Sequence, residues 1–111
     1  MEAAARAYFL TWNTRSGAAL VPLFAPDGML RDWDVEVVGA EAVGEANGKI
    51  FAAVPHISIE VLHVHVSEAT RTAVCEILVH LGDAAKTVLK VADVITFNAA
   101  LQIVALRAYK G

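Results

Sequence analysis

The chain has 111 residues, of which 57% are hydrophobic and 19% charged, and its net charge is -3. One domain spanning residues 1–111 with a single buried core is expected, and so apolar a composition argues against intrinsic disorder and charged tails. The nine Lys and Arg are spread along the whole length and form no basic stripe, which removes nucleic acid as an expected partner.

No apolar stretch approaches the roughly 18 residues that span a bilayer, and Met-Glu-Ala-Ala-Ala-Arg lacks the charged-then-apolar order of a secretory signal. A cytoplasmic protein with no membrane partner is expected. The one cysteine, Cys75, has no partner for a disulfide or a zinc ribbon and reads as a small core hydrophobe.

Residues 2–15 are Ala-rich and place Ala4, Tyr8 and Trp12 near one face, which predicts an amphipathic helix with Tyr8 on its buried stripe. Gly17 breaks it, Ala18 to Phe24 offers a second short helix, Pro26-Asp27-Gly28 a turn, and Met29 to Trp33 a short strand. Gly39 to Ala53 has helix-forming composition despite Gly44 and Gly48. From His56 onward β-branched residues dominate in runs at 56–66, 70–81, 86–97 and 101–109, separated by hairpin-sized breaks. The predicted class is α+β, with three N-terminal helices packed in a curved, mostly antiparallel sheet.

Strand periodicity sorts Thr70 to Leu81 into a face with Val74, Glu76, Leu78 and His80 and a wholly apolar face with Ala73, Cys75, Ile77 and Val79. Either the apolar face lies under the helices, or Glu76 and His80 enter a helix-covered cavity while a second subunit closes the apolar side. In the next run Asp93 alternates with Leu89, Val91, Ile95 and Phe97. A carboxylate so surrounded pairs with a cation or takes up a proton, because desolvation disfavours its charged form. Asp93 bonded to an orphan backbone amide is the plain structural alternative.

Tyr8 with Asn13, Leu23-Phe24-Ala25-Pro26-Asp27, Leu30-Arg31-Asp32, Val91-Ala92-Asp93-Val94 and Leu106-Arg107-Ala108-Tyr109 together resemble the ketosteroid isomerase branch of the NTF2-like (SnoaL-like) superfamily, over nearly the whole chain. The resemblance implies a cone of helices in a curved sheet, homodimerised through the sheet's outer face. It also implies a small-molecule isomerase that moves a proton next to a carbonyl and needs no cofactor. Tyr8 and protonated Asp93 would then donate to the developing oxyanion, and Asp32 would shuttle the proton. The implied partner is a small apolar or partly polar carbonyl compound. Its expected contacts are Trp12, Trp33, Asn47, Glu76, Leu78, His80, Val91, Ile95 and Leu106.

The chain departs from the family pattern in three places. It has only two tyrosines, Tyr8 and Tyr109, so the tyrosine relay is missing, and Asn47 supplies at most an amide in its place. Glu76 and His80 make the expected cavity more polar, and Trp33, directly after the candidate base, narrows the entrance or covers the base. Asp34 is the rival base, since a strand would aim it the same way as Asp32. His63 and His65 point to one side of a strand, with Glu76 a third metal ligand only if the hairpin register holds; no metal is expected. Trp12 and Phe24 also read as core volume. Two other functions fit the same residues: a SnoaL-like cyclase with Asp93 as acid and base, and a non-catalytic ligand-binding or dimerisation module.

Overall fold

In the computed structural model, which describes all 111 residues, the chain forms three helices and six strands. The first helix, α1 (Glu2–Trp12), buries Ala5, Tyr8, Phe9 and Trp12, the three- and four-residue spacing of one helical stripe. It ends earlier than the composition predicts, in a turn over residues 13–15 where Arg15 takes a left-handed φ of 57°. The Asn13 side chain donates to the Ile59 carbonyl (2.9 Å) and accepts from the Ile59 amide (2.7 Å), so it pairs with a strand backbone as another strand would.

Ser16 caps α2 (Gly17–Leu20) by accepting from the Ala19 amide, and a 3₁₀ turn over Val21–Leu23 leads into β1 (Phe24–Arg31). β1 starts before the expected turn. Its pairing jumps between Phe24 and Met29, so Pro26-Asp27-Gly28 do bend away, but inside a strand rather than ahead of one. A short β2 (Glu36–Val38) pairs with β1 and was not expected; three residues are too few for periodicity to register. Next come α3 (Ala40–Ala53), β3 (Ser58–Ser67), β4 (Thr72–His80), β5 (Val88–Phe97) and β6 (Ile103–Lys110).

The sheet order is β2-β1-β6-β5-β4-β3, with β1 and β6 parallel and every other pair antiparallel. The result is a six-stranded mixed sheet with the three helices on its inner face, as the composition and periodicity predicted in outline. Irregularities at Val61/His63 in β3 and at Thr96/Phe97 between β5 and β6 bend it. The core lies between α1, α3 and the inner residues of β4, β5 and β6, with Leu20, Val43, Ile95 and Ile103 almost fully buried. No helix is long and apolar enough to cross a membrane.

The register decides which face of β4 is covered. Cys75 pairs with Asp93 and Ile77 with Val91, so the wholly apolar face of β4 shares the helix-covered side with Asp93. Glu76 pairs with Ala92, Leu78 with Lys90 and His80 with Val88, all facing outward. Placing Glu76, Leu78 and His80 beside Asp93 was therefore incorrect, because residues directly opposite on neighbouring strands share a face.

Candidate active site

One cavity, of about 100 Å³, opens between the helices and the inner face of the sheet. Its lining is apolar or aromatic except for Asp32, Asn47 and Asp93. Tyr8 comes from α1, Asp32 and Trp33 from the turn after β1, and Asp93 from the middle of β5, so three segments far apart in sequence share one space.

Asp93 is 5% exposed, and loss of hydration pushes its carboxyl up to about 7, with the negative charge of Asp32 adding to the rise. No hydrogen bond is among the influences on this carboxyl, so Asp93 does not serve an orphan amide. Tyr8 is held edge-on by Phe9 and Phe24, at centroid separations of 5.2 and 6.1 Å. Burial raises its phenol well above the ordinary value and the nearby Asp93 charge raises it further, so Tyr8 keeps its proton and remains a donor.

Asp32 lies at the rim, half-buried. It does not continue a strand: its amide donates to the Val35 carbonyl (2.8 Å), and its Oδ1 accepts from the Asp34 (2.8 Å) and Val35 (2.7 Å) amides. This turn fixes the carboxylate and leaves Oδ2 outside those bonds. It also separates the two candidate bases, since Asp34 is exposed and does not line the cavity.

Of the expected contacts, Trp12, Trp33, Asn47, Val91 and Leu106 line the cavity. Asn47 does not replace a tyrosine relay, because its Oδ1 accepts from the Trp12 indole (2.9 Å) and its Nδ2 donates to the Val43 carbonyl (3.0 Å). Ile95 lies on the inner face but is sealed in the core beyond the cavity wall. Sequence reasoning missed Leu30, Ile50, Ile57, Ile59, Ile77, Val79 and Ala108. Ile77 and Val79 could have been found by aligning the apolar faces of the two central strands.

Outside, His65 meets Glu76 at 2.7 Å and His80 meets Glu60 at 2.9 Å. The hydrogen bond from His65 holds the exposed Glu76 carboxyl below its ordinary value. The β3 bulge shifts the alternation so that Glu60, His63 and His65 all face outward, whereas a regular strand would have put Glu60 opposite the histidines. No group of three or more His, Cys, Asp or Glu is arranged to hold a metal ion. Cys75 is fully buried, with its thiol pushed up to about 12 by burial.

The model of the SnoaL-like domain family matches residues 5–106. The chain belongs to this SnoaL-like family. Among curated proteins, none matches the sequence significantly. Solved structures share the fold of this SnoaL-like domain at low identity. A ketosteroid isomerase-like fold protein of Catenulispora acidiphila, bound to trimethylamine, superposes with a TM-score of 0.85 at 16% identity, covering 96% of this chain and 83% of the other. A candidate polyketide cyclase of Sinorhizobium meliloti gives 0.83 at 19% identity, covering 96% and 93%. The epoxide hydrolase/cyclase-like enzyme SalBIII, linked to pyran ring formation in the polyether salinomycin, gives 0.81 at 16% identity, covering 99% and 89%. These likenesses show an NTF2-like fold.

Proposed function

We propose that this SnoaL-like domain is an isomerase that moves a proton next to the carbonyl of a small molecule. The observation that carries the reading is the convergence of a buried phenol and a buried carboxyl of raised pKa with a turn-fixed carboxylate in one apolar cavity. In a β,γ-unsaturated ketone, Asp32 Oδ2 takes the proton from the carbon between the carbonyl and the double bond. The electron pair moves onto the carbonyl oxygen, which accepts from Tyr8 Oη and from the protonated Asp93 carboxyl. Asp32 then returns the proton to the γ-carbon, and the double bond ends conjugated to the ketone. In so apolar a site the two donors stabilise the oxyanion more than water would.

The test is the rise in ultraviolet absorbance as a small β,γ-unsaturated ketone becomes conjugated. Asp32→Asn is expected to lower the rate by at least about 10²-fold, the usual worth of a positioned base.

A second reading, ring closure with Asp93 as both acid and base, is favoured by the likeness to cyclase-like structures and by a carboxyl that titrates near neutrality. It predicts activity that survives Asp32→Asn and is lost in Asp93→Asn. Binding of phenols without turnover of any carbonyl substrate would instead support a non-catalytic ligand-binding role. Under each reading the domain is taken to act in the cytoplasm, without a cofactor, and as a homodimer joined through the outer face of the sheet.

A further inference from the structure

The size of the cavity and the residue at its rim narrow the substrate class. Pockets that enclose drug-sized molecules measure roughly 300–1,000 Å³, and an apolar cavity of about 150 Å³ accommodates benzene. A space of about 100 Å³ is smaller than either, so it encloses at most one small ring and far less than a fused polycycle. The wall explains this limit. Trp33 lines the cavity yet remains 41% exposed, so its indole forms part of the rim rather than the floor. Lys110 Nζ, at the end of β6, lies 5.0 Å from the centroid of that ring and favours its present position through a cation–π contact. The backbone beneath is fixed as well, because Trp33 sits inside the turn tied by Asp32 Oδ1.

We infer that Trp33, braced by Lys110, is the specificity-determining residue of this site and restricts it to single-ring carbonyl compounds, or acyclic ones of similar bulk. The inference rests on the proposed oxyanion site and adds an upper size limit to it. Phenol, naphthol and hydroxypyrene test it, since each offers a hydroxyl to Tyr8 and Asp93 while the ring system grows. Calorimetric affinities are compared for the wild type and Trp33→Ala, a change at a part-exposed turn that leaves the side chains of Tyr8, Asp32 and Asp93 and the Asp32 turn bonds in place.

In the wild type, phenol is expected to bind at least about tenfold more tightly than naphthol or hydroxypyrene. In Trp33→Ala the larger phenols are expected to gain about tenfold or more while phenol itself changes little. Lys110→Gln should move the preference in the same direction by a smaller factor, and no movement would remove Lys110 from the gate. Wild-type protein that binds hydroxypyrene as tightly as phenol would overturn the size limit and leave the oxyanion site standing. If neither wild type nor Trp33→Ala binds any of the three, the oxyanion site itself falls.

Discussion

Asp93 concentrates the chemistry of the molecule in one titration. Its carboxyl is near 3.9 in an unfolded chain and is pushed up to about 7 by folding, chiefly through desolvation. The native state therefore holds this proton more tightly than the unfolded state does. The stabilisation this gives is complete below about pH 4 and is lost as the pH rises through about 7, where the folded protein must carry a buried charge. Asp93→Leu removes that burden and is expected to raise stability at pH 8 by about 1–4 kcal/mol, with a smaller gain near pH 4, in urea unfolding at the two pH values. A large loss of stability at both would show that Asp93 holds the fold together. Conversion of a β,γ-unsaturated ketone should fall along the same alkaline limb, as the donor loses its proton. Asp93 was legible in the sequence because one acid among four large apolar alternates is unusual in any strand. Glu76 and His80 were misplaced because alternation within one strand does not say which face is covered; only the register against β5 does.

At the scale of elements, composition treats Gly44 and Gly48 in α3 alike, as helix positions that each cost stability. Packing separates them. A Cβ on Gly44 would lie 2.7 Å from Val21 Cγ2 and 2.9 Å from the Gly17 carbonyl oxygen, so α2 and α3 approach each other through paired glycines. A Cβ on Gly48 would meet nothing within 4 Å. Gly44→Ala is expected to destabilise by about 1–3 kcal/mol through overpacking, while Gly48→Ala stabilises by about 0.5–1 kcal/mol by removing freedom from the unfolded chain. Thermal melts of the two variants check the opposite signs. The helices and long strands could be read from periodicity to within a few residues. The end of α1, β2 and both bulges could not, because each depends on a partner distant in sequence. The Asn13 side chain ties the end of α1 to Ile59 of β3, and the bulge in β3 shows itself only against β4.

Taken whole, the molecule is a bent sheet with two unlike faces. The inner face carries the core and the cavity. The outer face leaves Leu62, Val88 and Tyr109 between 42% and 51% exposed around half-buried Leu78, Val74 and Val94. A second copy laid on this face would cover them, and a stable interface needs roughly 1,200–2,000 Å² in total. Sedimentation is expected to show a dimer at micromolar concentration that Leu78→Lys converts to a monomer; a wild-type monomer at high concentration would remove the dimer from the account. The central claim, however, concerns the cavity, and the most direct measurement is the carboxyl-carbon NMR shift of Asp93 followed against pH. A midpoint at about 7 is expected. A midpoint at about 4, the value of a hydrated carboxyl, would contradict the claim that Asp93 is held in a dry site as a proton donor.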